Sequence, residues 1–179
     1  HVAMMGHSRG GMQTWLAAKQ WPELDALVIV AGVTDLDAEL KFRPEMENVF
    51  KARIPDYASN KTAALQQRSV SFFLPQIRAD LPVMIVHGTE DVRVDLEHAR
   101  RLQRMLEIDG RPPVGLVFEK EGHGMEKIDN IETMWTGIAG FLQAHLGASP
   151  LPAATVAAPL RRPRSRGVNA RDFILQTHG

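Results

Sequence analysis

The sequence contains no cysteine. Disulfides, thiolate metal sites and a cysteine nucleophile are therefore excluded, and the redox compartment is left open. It also has no net charge, with 21 basic and 21 acidic side chains, so nothing in its electrostatics points to nucleic acid or an acidic membrane surface as a partner. No apolar run approaches the roughly 18 residues that a membrane helix needs. No two histidines stand at the close spacing of a helical metal site, and the Asp, Glu and His residues are scattered singly. Neither a metal nor an organic cofactor is expected. Internal repeats are absent too. The chain begins with His1 rather than Met, inside an apolar run. Its true amino terminus is expected to lie upstream, and the location that a leader would encode stays open, with the cytoplasm as default.

What is present is globular: 44% hydrophobic and 23% charged residues in 179, enough for one domain with a real core. Four short unbroken apolar runs, Val2 to Met5, Ala26 to Ala31, Val83 to Val86 and Val114 to Phe118, predict strands buried on both faces. Helical periodicity fills the intervals: Met12, Trp15, Leu16 and Lys19; Leu96, Ala99, Leu102 and Leu106; Ile131, Met134, Trp135, Ile138, Phe141 and Leu142. Strand and helix alternate. The expected fold class is α/β, a mostly parallel sheet with helices on both faces. Trp15 and Trp135 are expected to be packing residues.

About fifty residues separate the second strand from the third, too many for a simple crossover. The stretch from about 33 to 80 reads as a cap of small helices. One is opened by Pro44 and stopped by Pro55, with Met46, Val49, Phe50 and Arg53 on one face, and another runs from Ala58 to Gln67. The cap aromatics Phe42, Phe50, Tyr57, Phe72 and Phe73 either form its own core or line an apolar substrate pocket, Phe72 and Phe73 being the pocket candidates. From residue 147 onward the composition turns to Ala, Pro and Arg, with five arginines and one acid between Leu160 and Gly179. This reads as a flexible tail, 147–179, after a domain of residues 1–146.

Chemistry is carried by Gly6-His7-Ser8-Arg9-Gly10. A Gly-x-Ser-x-Gly between an apolar run and a helical pattern is a strand, sharp turn and helix, which lifts the serine hydroxyl above the sheet. Glycine is expected at both flanking positions to relieve the strain of that turn. A serine hydroxyl needs a base, and the base needs an orienting acid. Asp91 and His123 each follow a later predicted strand in a glycine-marked loop, where open α/β sheets place catalytic groups. The expected triad is Ser8, Asp91 and His123, in the chain order of α/β-hydrolases. The backbone N–H of Arg9, at the start of its helix, is the expected oxyanion donor. Competing assignments remain for each position. Ser8 would alternatively be a plain helix cap. Glu90 and Asp95 compete with Asp91, Asp95 being also a cap for the helix at Leu96. His7, His87 and His98 compete with His123, whereas His1, His145 and His178 read as surface residues.

At these residues the chain resembles the prolyl oligopeptidase family of serine peptidases. Gly6 to Gly11 is similar to its nucleophile motif, His87-Gly-Thr-Glu-Asp-Val-Arg-Val94 to its acid loop, and Glu121-Gly-His-Gly124 to its histidine loop. Asp95 stands where the family usually has proline, and Met125 where it often has an aromatic. The resemblance covers residues 1 to about 146 and implies a partial α/β-hydrolase fold, the carboxyl-terminal part of a catalytic domain. It also implies a serine peptidase that cleaves short peptides through an acyl-enzyme. The alternatives are a carboxylesterase acting on an ester substrate and an inactive fragment whose second oxyanion donor lies in the family's earlier strands. Without those strands, Val2 to Met5 would be an open sheet edge, and self-association through it is expected.

Overall fold

The computed structural model describes residues 1–147. Four strands form one parallel sheet in the order β1 (Ala3–His7), β2 (Ala26–Val30), β3 (Val83–Gly88), β4 (Val114–Phe118). Seven α-helices accompany them among the described residues: α1 (Arg9–Gln20), α2 (Leu36–Phe42), α3 (Met46–Arg53), α4 (Lys61–Gln66), α5 (Val70–Phe73), α6 (Leu96–Ile108) and α7 (Ile128–Leu146). A short 3-10 turn, Leu74–Gln76, follows α5.

The central strands β2 and β3 are buried throughout, as unbroken apolar runs require. Their side chains alternate between two layers. Leu27, Ile29, Val83 and Ile85 face α1, α5 and α6, packing with Trp15, Leu102 and Leu106. Ala26, Val28, Val30, Met84 and Val86 face α7, packing with Met134, Ile138 and Phe141. A third cluster, around Phe50, Tyr57 and Leu65, lies within the insertion and touches the sheet's rim through Val33 and Val94.

Three expectations are corrected. β1 lies at one edge of this four-stranded sheet, as expected of a partial fold, but β4 lies at the other, and Met5, Val114 and Val117 are exposed, so neither run is buried on both faces. An apolar run reports the character of a strand, not its place in the sheet. Trp135 is 50% exposed, because it follows the buried Met134 by one position and points away from the sheet. The cap is also more finely divided than expected. Asp35 caps an additional helix, α2, by accepting from the amides of Asp37 and Ala38. α3 starts two residues beyond Pro44, and α4 starts only after Asn60, whose side chain accepts from the Ala63 amide. Of the tail 147–179, only Gly147 falls within the described residues.

Candidate active site

The chain leaves β1 through Ser8, whose φ of 59° and ψ of −122° lie in a region that residues with a Cβ rarely enter. Such a conformation costs on the order of 1–3 kcal/mol and persists only where the surroundings impose it. Here they do. The Ser8 amide donates to the Val30 carbonyl at the end of β2 (2.8 Å), and the Ser8 carbonyl accepts from Gly11 (2.9 Å). A Cβ on Gly6 would stand 2.2 Å from the Gly10 carbonyl oxygen, and one on Gly11 would stand 2.8 Å from the Gly32 Cα. Gly10, by contrast, has open space around it. The crowded glycines are therefore Gly6 and Gly11, and the expectation that both residues flanking the serine turn need glycine holds for Gly6 alone. Ser8 makes no capping hydrogen bond with its side chain, so the plain helix-cap reading fails. The Arg9 amide opens α1, where it has no partner within the helix.

Asp91 sits in the loop after β3 and is buried. Its Oδ1 accepts from the amides of Arg93 (2.8 Å) and Val94 (3.0 Å), and its Oδ2 accepts from Nδ1–H of His123 (2.7 Å). Burial pushes its pKa up, but the bonds from His123 and the two amides outweigh this and hold it below the ordinary carboxylate value. Asp91 is thus an anion, its Oδ2 bonded to the His123 imidazole and 3.4 Å from Nε2 of His87. The rival carboxylates are accounted for elsewhere: Asp95 accepts from the Glu97 amide as the cap of α6, and Glu90 is exposed.

The loop carrying His123 is fixed from both sides. Gly88 and Glu90 lie directly against it: the Glu90 amide donates to the Glu121 carbonyl (2.8 Å), and a Cβ on Gly88 would come within 2.3 Å of that same oxygen. The Glu121 side chain is buried and accepts from the amides of Glu126 and Lys127 and from Asn130 Nδ2. Those bonds, led by the Glu126 amide, lower its pKa and keep it ionised. His7 closes the remaining gap: its Nε2–H donates to the His123 carbonyl (2.8 Å), and the two rings lie 4.5 Å apart. The residue before Ser8 therefore touches His123. Neither Ser8 Oγ nor His123 Nε2 is hydrogen-bonded to any described residue, and both remain available. Catalytic hydrogen bonds of this kind commonly tighten only when substrate arrives.

The other histidines are committed elsewhere. His87 is buried, with its Nε2–H given to the Val94 carbonyl (2.9 Å), and burial lowers its pKa. His98 is buried between Thr34 and Glu39.

Beside Ser8 lies a pocket of about 450 Å³ between α1 and the insertion. Met12, Leu16, Val33, Leu36, Phe50 and Ile54 supply its apolar surface. Of the cap aromatics only Phe50 reaches it. Phe73 is packed in the core with Lys19 over its ring, and Phe72 is exposed beside a separate small depression. The pair sits on a short helix whose inner side faces the sheet and whose outer side faces solvent, so neither lines the space next to Ser8. Sequence reasoning missed the Glu121 clamp, the His7 contact and the arginines that rim this pocket. A glutamate two positions before the histidine, followed by Asn130, was the available signal for the clamp.

Comparison with known proteins agrees with this architecture. Residues 1–149 match the family model for the prolyl oligopeptidase family. The chain belongs to that family. It is 31% identical over 160 residues to dipeptidyl peptidase family member 6 of Caenorhabditis elegans, a match covering 84% of this chain and 21% of the relative. Among solved structures, a puromycin-hydrolyzing peptidase of Mycobacterium tuberculosis superposes with a TM-score of 0.73 at 24% identity, covering 84% of this chain and 22% of that one. The acylaminoacyl peptidase of Pyrococcus horikoshii gives 0.70 at 18% identity, covering 84% and 24%. These structures share the α/β-hydrolase sheet and its helices, and the present chain spans about a fifth to a quarter of their length.

Proposed function

We propose that this chain carries the catalytic groups of a serine peptidase, with Ser8 as nucleophile, His123 as general base and Asp91 as the group that orients and stabilises the imidazole. The observation that supports this most is the 2.7 Å bond between a buried, ionised Asp91 and Nδ1 of His123. It fixes the tautomer in which Nε2 carries the lone pair, as a base requires. In the forward step Ser8 Oγ attacks the carbonyl carbon of the scissile bond and its proton passes to His123 Nε2. The tetrahedral oxyanion is met by the Arg9 amide, at the positive end of α1. Collapse breaks the carbon–nitrogen bond, and the imidazolium gives its proton to the departing amine. Water then attacks the Ser8 acyl ester with His123 again as base, releasing the acid and restoring the hydroxyl.

Relatives named as peptidases support amide rather than ester bonds as the natural target. The test compares turnover of an aminoacyl amide with that of a simple acyl ester by the intact protein, with Ser8→Ala as control. Amide hydrolysis that disappears in Ser8→Ala is the expected result. Ester hydrolysis without amide hydrolysis would make the protein an esterase instead, and amide hydrolysis that survives in Ser8→Ala would remove Ser8 from the mechanism.

A further inference from the structure

We propose that the pocket beside Ser8 selects a substrate bearing a carboxylate on a residue next to the scissile bond, with Arg53 and Arg68 of the insertion as the groups that recognise it. This rests on the serine-hydrolase reading of the same site and specifies its substrate class.

The pocket wall is strongly charged. Five arginines line it, Arg9 from α1, Arg43, Arg53 and Arg68 from the insertion, and Arg93 from the loop after β3, against a single acid, Glu39. Glu39 already faces Arg43 and His98. It is buried, its Oε2 lies 3.3 Å from His98 Nε2, and its Oε1 lies 3.8 Å from Arg43. Arg43 is likewise spent, since its Nε donates to Glu45 (2.8 Å) and a terminal nitrogen donates to the Arg93 carbonyl (3.2 Å). Glu47, the next acid along α3, is occupied by Tyr57 and Lys61. No described carboxylate pairs with Arg9, Arg53, Arg68 or Arg93. Arg68 donates one bond to the Ala64 carbonyl, which fixes the side chain and leaves its other N–H groups free.

The pocket is therefore an apolar cavity with an uncompensated cationic rim. Such a site repels an ammonium group and gains little from a purely apolar side chain beyond burial. A short apolar stem ending in a carboxylate satisfies both surfaces: the stem lies on Leu36, Phe50 and Ile54, and the carboxylate meets guanidinium groups, whose planar fork matches it. Arg53 and Arg68 come from the insertion rather than from the loops that carry Ser8, Asp91 and His123, so they can set preference without entering the proton transfers.

A carboxylate next to the scissile bond has two sources, an acidic side chain or the free end of a short peptide. Four matched peptide substrates separate them: glutamate or glutamine beside the cleaved bond with an amidated end, and leucine there with either a free or an amidated end. A lysine counterpart completes the set. The quantity read is kcat/KM for the intact protein. The proposal expects the glutamate substrate to exceed its glutamine twin, or the free-acid leucine substrate to exceed its amide, and the lysine substrate to be the poorest. Arg53→Gln should lower the preferred carboxylate-to-neutral ratio by about tenfold, the worth of one hydrogen bond to a charged group. Arg68→Gln should do the same, and because Arg53 is exposed, its variant tests the idea even if Arg68→Gln folds poorly. Arg53→Glu should raise the lysine substrate. Turnover that depends on Ser8 but favours neutral or lysine substrates would overturn this proposal while leaving the hydrolase reading intact. Absence of Ser8-dependent turnover on every substrate would overturn both.

Discussion

Among the described residues, the Asp91–His123 and Glu39–His98 pairs differ in where the second ring nitrogen goes. In the Asp91–His123 pair the carboxylate takes Nδ1 and leaves Nε2 unbonded at the rim of the sheet, next to the serine turn. In the Glu39–His98 pair Nε2 faces the carboxylate at 3.3 Å, and Nδ1 accepts from the Thr34 amide (3.3 Å) and lies 3.1 Å from its hydroxyl. Both histidines have an acid, but only His123 keeps a nitrogen with nothing to do. A histidine held by partners at both nitrogens is a brace, whereas one held at a single nitrogen with the other accessible is positioned to move a proton; the unpartnered Nδ1 of His87 is buried and does not meet that condition.

The comparison breaks most sharply on the base. His123→Ala should reduce kcat on the order of 10⁴-fold or more, and the Arg93 and Val94 amides that still bond the buried Asp91 limit its cost in stability. His98→Leu should leave kcat nearly unchanged and cost about 3 kcal/mol of stability, read as a fall in the unfolding midpoint, because the buried Glu39 and Thr34 lose the ring between them. Equal effects of the two substitutions on turnover would erase the distinction. Next in size, Asp91→Asn should reduce kcat on the order of 10⁴-fold at neutral pH, because an amide in that position favours the wrong tautomer of His123. The check is kcat against pH, with the deficit expected to persist across the neutral range.

His87 sharpens the comparison through stability. Burial holds its pKa below 6.5, against the opposing pull of the Val94 carbonyl and the Asp91 carboxylate, with His98 and His123 adding to the lowering. On acidification the unfolded chain takes up a proton at this histidine as pH passes through 6.5, whereas the folded protein does so only at lower pH. The unfolded state therefore binds more protons in that window, and stability falls as pH is lowered across it. His87→Leu should flatten that part of the profile of unfolding midpoint against pH. A slope unchanged by the substitution would contradict this assignment. The smallest effect belongs to one glycine of the serine turn. Gly10→Ala should be neutral or stabilise by up to about 1 kcal/mol, since the position is open. Gly6→Ala should impair folding, because its Cβ would collide with the Gly10 carbonyl.

The loops bearing Ser8, Asp91 and His123 are legible in the sequence because each pairs a short apolar strand with a glycine that lets backbones approach. Gly6 admits the Gly10 carbonyl, and Gly88 admits the Glu121 carbonyl. That chemistry is local and leaves a pattern. What was not legible depends on partners distant in sequence. The exposure of β4 follows from strand order, not from strand composition. Phe73 and Phe72 are neighbours with opposite surroundings, core and solvent, and only the path of the insertion decides which is which. Glu121 reads as one acid in a charged loop until the start of α7 folds back to give it three donors.

The central claim, that Ser8 is the nucleophile activated by His123 and Asp91, is tested most directly by treating the intact protein with a fluorophosphonate and locating the adduct by mass spectrometry. The account predicts a single phosphonylated residue, Ser8, with labelling absent in Ser8→Ala and strongly slowed in His123→Ala and Asp91→Asn. An active protein that stays unlabelled at Ser8, or that labels Ser8 equally fast without His123, would contradict it.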